Sequence, residues 1–144
     1  MGVVKLIDIK EEILAENKEL AGEIRERLAA AGVCLVNLMS SPGSGKTSLI
    51  LRSLKNLKDN HRISVIEGDI DSMVDAEAVA AQGIEAVQIK TGGFCHLNAA
   101  MVEKGLSRLD LTNLDLVFLE NVGNLVCPAE CDTGANLNVC LLYT

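Results

Sequence analysis

A run of small residues, Ser40-Ser41-Pro42-Gly43-Ser44-Gly45-Lys46-Thr47, follows directly on the apolar stretch from Val33 to Met39. Glycines at 43 and 45 permit a tight backbone turn, and a helix beginning at Lys46 adds its N-terminal N–H groups around an anion. The phosphates of a nucleotide are the anion this arrangement suits. Lys46 would reach the outer phosphates, the Thr47 hydroxyl would help hold Mg2+, and Ser48 continues the helix start. The general pattern G-x-x-x-x-G-K-[ST] has glycine where this chain has Ser40, which suggests a subclass with a different approach to the loop. The plain alternative is a strand-to-helix turn in which serines cap the helix.

Phosphoryl transfer also needs a metal to neutralise charge and a group to orient the attacking water. Glu67-Gly68-Asp69 closes one apolar segment, Asp71 and Asp75 follow it, and Glu120-Asn121-Val122-Gly123-Asn124 closes another. These positions lie outside the carboxyl ends of parallel strands, where such folds bind ligands. Asp69 or Asp71 could equally cap a following helix. Glu120 is harder to explain that way, because a carboxylate ending an apolar strand is costly without a partner.

Cys95-His96 after Thr91-Gly92-Gly93-Phe94, and Cys127-Pro128, form a second set of candidates. Thiolates and an imidazole suit Zn2+ and other late first-row ions, although the spacing is no zinc-finger signature. Buried thiols and a loop-bonding histidine are the alternative. Cys34 and Cys140 lie inside apolar strands and read as core residues. Cys131 does not make the C-x-x-C spacing, yet it could supply another thiolate.

The elements that must position these groups alternate along the chain. Ile13, Leu20, Ile24 and Leu28 make one stripe of an amphipathic helix over 11–31, which Gly32 ends. Strands are expected at 33–39, 63–67, 84–89, 114–120 and 137–143, with helices at 46–58, 72–82 and 97–108 between them. That is an α/β fold, a mostly parallel sheet with crossover helices, divided into an N-terminal helical segment (1–32) packed on one domain (33–144). A net charge of -7 without a basic block argues against nucleic acid. The lack of a long apolar run and of a signal-peptide layout predicts a soluble, cytoplasmic protein without a membrane partner.

Taken together, Asn37-Leu38-Met39-Ser40-Ser41-Pro42-Gly43-Ser44-Gly45-Lys46-Thr47, Glu67-Gly68-Asp69, Thr91 to Leu97 and Glu120 to Glu130 resemble the HypB family of hydrogenase nickel-incorporation GTPases. The resemblance covers nearly the whole chain, and in that family serine at position 40 is usual. It implies a P-loop NTPase fold of the SIMIBI-like GTPase kind, GTP and Mg2+ as ligands, and Ni2+ or Zn2+ as the second metal. It further implies a nucleotide- and metal-dependent homodimer, working with hydrogenase maturation partner proteins and the hydrogenase large subunit. On this chain the nucleotide-binding positions fall on Ser41, Gly43, Ser44, Gly45, Lys46, Thr47, Ser48 and Asp69. The catalytic ones fall on Lys46, Asp75 and Glu120, and Mg2+ on Thr47, Asp69 and Asp75. Cys95, His96 and Cys127 become the nickel or zinc ligands.

Family members also carry an Asn-Lys-x-Asp loop that recognises guanine. No lysine follows Glu120 here. Base-edge recognition can discriminate by as much as ~10⁴ to 10⁵, so the resemblance predicts a domain cut before that loop, with weak, poorly guanine-selective binding. Two rival readings accompany the nickel-delivery GTPase. One is a metal-binding, dimerising fragment without turnover. The other is the related urease nickel-delivery GTPase, in which a proline separates the cysteine from the histidine.

Overall fold

Asp8 starts the first helix, α1 (Ile9–Ala31), by accepting a hydrogen bond from the Glu11 N–H at 3.1 Å. Gly32 ends it in the left-handed region at φ 70°, where its N–H reaches Ala29 O and that of Val33 reaches Leu28 O. This paired closure satisfies two carbonyls that a helix end leaves open. The chain continues through β1 (Cys34–Ser40), α2 (Lys46–Leu57), β2 (Ile63–Glu67), α3 (Val74–Ala80), β3 (Glu85–Gln88) and α4 (Ala99–Leu106). A 3-10 turn (Leu111–Asn113), β4 (Leu116–Glu120), a short α5 (Cys127–Glu130) and β5 (Leu137–Leu141) follow. The computed structural model describes residues 2–68 and 74–142, without the side chain of Val74.

The strands form one parallel sheet in the order β3-β2-β4-β1-β5. Parallel sheets are covered on both faces, so their central strands are apolar on both sides. β2 is buried along its whole length. Leu35, Val117 and Leu119 pack with Ile24 and Leu28 of α1 and Val102 and Leu106 of α4. On the other face Val36, Leu38, Val65 and Phe118 pack with Ile50 and Leu54 of α2 and Val79 of α3. Fully burying one such side chain is worth about 1.5–3 kcal/mol, so the two layers together hold the strand ends in place.

Three sequence expectations need correction. Ile13 does not share the buried stripe: it is 59% exposed, while Ala21, Ile24 and Leu28 are buried. The first turns of α1 are uncovered among the described residues, and Ile9 and Leu14 are exposed there too. Cys34 and Cys140 are exposed instead of lying in the core. Cys34 is the first residue of β1, and Cys140 sits on edge strand β5, on the face opposite Val139 and Leu141, which pack on the α2 side. The short α5 and the 3-10 turn are additions that the sequence pattern did not mark.

Candidate functional site

Gly43 and Gly45 both have positive φ, 74° and 94°, which the turn between β1 and α2 requires. Ser40 does not need that freedom. It is the last residue of β1, no non-glycine residue among those described has positive φ, and its buried hydroxyl accepts a hydrogen bond from Lys46 Nζ at 3.0 Å. The serine therefore anchors the lysine. Ser41 and Ser44 join their hydroxyls at 2.7 Å across the turn. No side chain caps α2, so its first N–H groups remain open to a cavity of about 360 Å3 lined by Gly43 to Ser48, Asp75 and Glu120.

The register pairs Glu67 with Glu120, placing two buried carboxylates side by side at the ends of β2 and β4. Asp75, in the first turn of α3, brings a third, and single oxygens of the three lie within 4.8 Å of one another. Thr47 Oγ1 donates to Glu120 Oε1 at 2.7 Å. Glu120 Oε2 is buried with no hydrogen-bond partner among the described residues. A cation is the chemical species that an orphaned, buried carboxylate oxygen beside two further carboxylates suits. Asp69 and Asp71, both candidates by sequence, lie outside the described residues. Glu67 joins Asp75 and Glu120 as a residue outside the ligand set expected from sequence, although it ends an apolar strand as Glu120 does.

Cys95, His96 and Cys127 offer ligand atoms that lie within 4.8 Å of one another. Cys95 Sγ is 3.5 Å from His96 Nδ1, and a hydrogen bond with Cys127 raises the Cys95 thiol above its ordinary pKa. The turn at Gly92 and Gly93, both at positive φ, delivers the Cys95-His96 pair from β3. Buried Asn121 holds its far end: Asn121 Oδ1 accepts from the N–H groups of Leu97 and Val122, and its Nδ2 donates to Asn37 Oδ1. Asn98 caps α4 through the Met101 N–H. Cys127 opens α5, where Pro128 in the first turn fits the missing donor.

Cys131 stands apart from the three-ligand cluster. Burial pushes its thiol pKa up, and the thiol rests against the Asn17 side chain and the Ala99 backbone. Beside the cluster is a cavity of about 600 Å3, walled by Ile9, Ile13, Leu14 and Leu20 of α1 together with His96, Cys127 and Cys131. The uncovered turns of α1 are thus one wall of the cavity beside the cysteine-histidine cluster. At Gly68 the segment that carries His96 packs against the strand end that carries Glu120. A Cβ there would fall 2.5 Å from Leu97 Cδ1 and 2.9 Å from Glu120 O, so only glycine lets the residue after His96 pack against the end of β4.

The family description "CobW/HypB/UreG, nucleotide-binding domain" matches residues 34–139. Over 144 residues the chain is 49% identical to the hydrogenase/urease maturation factor HypB of Helicobacter hepaticus, covering 97% of this chain and 59% of that protein. It is 43% identical over 138 residues to the hydrogenase maturation factor HypB of Escherichia coli K12, covering 96% and 48%. The crystal structure of HypB from Archaeoglobus fulgidus superposes with a TM-score of 0.82 at 43% identity, over 90% of this chain and 63% of that one. HypB from Helicobacter pylori in complex with nickel gives 0.80 at 41% identity, over 87% and 59%. The chain therefore spans less than two thirds of the length of each of these relatives.

Proposed function

This chain belongs to the CobW/HypB/UreG family of nucleotide-binding domains, with the P-loop fold of the HypB structures, and from that premise we propose that it is a GTP-binding and GTP-hydrolysing domain that handles nickel for hydrogenase maturation. One observation supports the reading: a phosphate-type cavity and a two-cysteine, one-histidine cluster occur in the same small fold, with Leu97, the neighbour of His96, packed at Gly68 against the end of β4 that carries Glu120.

In this reading the open N–H groups of the loop and α2, with Lys46, bind the outer phosphates. Lys46 is already aimed by its bond to Ser40. The Thr47 hydroxyl, the free Glu120 oxygen and Asp75 are the groups that would hold Mg2+, with Glu67 beside them. That ion supplies neutralisation of the charge that develops on the transferring phosphoryl group. Asp75, less buried than the two glutamates, is the carboxylate best placed for an incoming water. Our assignment of Asp69 to the same set rests on the family resemblance.

Nickel is the cargo. Two thiolates and an imidazole make three donors of the type late divalent ions take, with a coordination position left over for a donor, an acceptor or a second protomer of a homodimer. Zn2+ fits the same donors. The partners we infer are the proteins of hydrogenase maturation and the hydrogenase large subunit. Among the described residues no helix is long and apolar enough to cross a membrane. The preference for guanine rests on the family, because no Asn-Lys-x-Asp occurs in these 144 residues. A second reading is metal binding and dimerisation without turnover, which needs only the cluster of Cys95, His96 and Cys127.

Equilibrium binding of GTP and ATP to this chain, with phosphate release and nickel stoichiometry measured alongside, tests both. GTP-selective binding with turnover is expected, together with one nickel per three-ligand cluster. Nickel binding without nucleotide binding would leave only the second reading.

A further inference from the structure

The three metal-type ligands come from two segments with no backbone bond between them, 91–99 and 127–132, so something must set their separation. A side-chain amide on α1 touches both. Asn17 Oδ1 accepts from the Ala99 N–H at 2.8 Å, and Asn17 Nδ2 donates to the Asp132 carbonyl at 2.8 Å. Ala99 lies three residues after His96, and Asp132 five after Cys127. The Ala99 N–H opens α4 on a fully buried residue, one of the donors that a helix start leaves without an internal partner. Asp132 cannot swing away from the amide. Its carboxylate takes two bonds from Arg25 of the same helix, both 2.7 Å, and one from the Gly134 N–H. The Cys131 thiol completes the knot against Asn17 and Ala99.

We propose that Asn17 is a positioning residue for metal binding: one amide fastens both ligand-bearing segments to α1 and so fixes the distance between the Cys95-His96 pair and Cys127. The inference rests on reading that cluster as a metal site. Groups that orient ligands from outside the coordination sphere typically change metal affinity by roughly 10–100-fold when removed. The hydrogen bonds of Asn17 go to the two segments and not to Cys95, His96 or Cys127, so it acts through those segments.

The test is a titration of the full chain with Ni2+ against a chromophoric chelator, following the nickel–thiolate absorption band, with thermal melting and nucleotide affinity measured on the same samples. Asn17→Ala should weaken Ni2+ binding roughly 10–100-fold and shift the band, with nucleotide affinity unchanged. Asn17→Asp keeps an acceptor for the Ala99 N–H but no donor for the Asp132 carbonyl, and should give a smaller loss; it carries the test if the alanine variant does not melt cooperatively. Arg25→Ala frees the Asp132 carboxylate but leaves both Asn17 bonds in place, so it should cost less Ni2+ affinity than Asn17→Ala. An equal loss would assign the effect to the Arg25–Asp132 pair and overturn the proposal. Cys127→Ala separates the two levels. If it abolishes Ni2+ binding while the folded Asn17 variants bind as tightly as the parent, positioning alone is wrong; if it leaves binding intact, the metal reading fails and the proposal with it.

Discussion

The two cavities are built by opposite means. The phosphate-type cavity is built mainly of consecutive residues, two glycines at positive φ, a strand-end serine that holds the lysine, and an uncapped helix start, with Asp75 and Glu120 closing it. The cysteine-histidine cavity draws on three segments far apart in the chain, α1, 91–99 and 127–132, and has apolar helix residues for one wall. A site made of backbone in sequence is held by local geometry and tolerates little change of residue type. An assembled site is held by cross-links such as Asn17 and Asn121, whose removal should shift the cluster's side chains without removing any.

If the two regions are separable as sites, single substitutions should silence one and spare the other. Cys95→Ala should abolish stoichiometric Ni2+ or Zn2+ binding while leaving nucleotide affinity unchanged. Lys46→Ala should weaken GTP by about 100-fold, since a hydrogen bond to a charged group is worth roughly 1.5–3 kcal/mol, with metal binding retained. Paired isothermal titrations of both ligands on both variants read this directly. Cross-effects of similar size would mean the two cavities do not bind independently.

Gly68→Ala should have the next largest effect and break the separation. Its Cβ would meet Leu97 and the Glu120 carbonyl, both too close to share space with it. Such overpacking costs about 1–3 kcal/mol, and because Leu97 follows His96 and Glu120 holds Thr47, both affinities should fall together. Denaturant unfolding with the two titrations checks it. A loss at one site only would show that the junction belongs to that site alone.

The smallest effect is a pH response confined to the metal side. The Arg25 guanidinium holds the Asp132 carboxyl below its ordinary pKa of 3.8. The stabilisation is therefore fully present above about pH 4 and is lost as pH falls through the lowered value in the folded chain. The pair is partly solvated, so the loss should stay within about 1 kcal/mol. Asp132→Asn should flatten this part of the stability profile between pH 5 and pH 2 by roughly that amount, measured by urea unfolding, with no change in nucleotide affinity at neutral pH.

Much of this molecule could be read before its structure was known. Strands expected at 33–39, 63–67, 84–89, 114–120 and 137–143 meet observed strands 34–40, 63–67, 85–88, 116–120 and 137–141, because the central parallel strands β1, β2 and β4, covered on both faces, leave apolar runs between polar turns, and edge strands β3 and β5 keep enough apolar residues on one face to be read. The phosphate loop was legible for the same reason it forms: its chemistry is local. Exposure was less legible. Cys34, Cys140 and Ile13 have core-like neighbours in sequence, but one sits at a strand's first residue, one on an edge strand and one on an uncovered helix turn.

By itself, then, the sequence determined the order of strands and helices, the phosphate-type loop with its lysine and threonine, and the residue types of the cysteine-histidine cluster. These depend on the preferences of neighbouring residues along the chain. Only the tertiary structure brought Cys127 to Cys95 and His96, set Glu67 against Glu120 and gave Asn17 and Asn121 their partners. Those contacts depend on sheet register and helix docking, which bring together residues that no local pattern links.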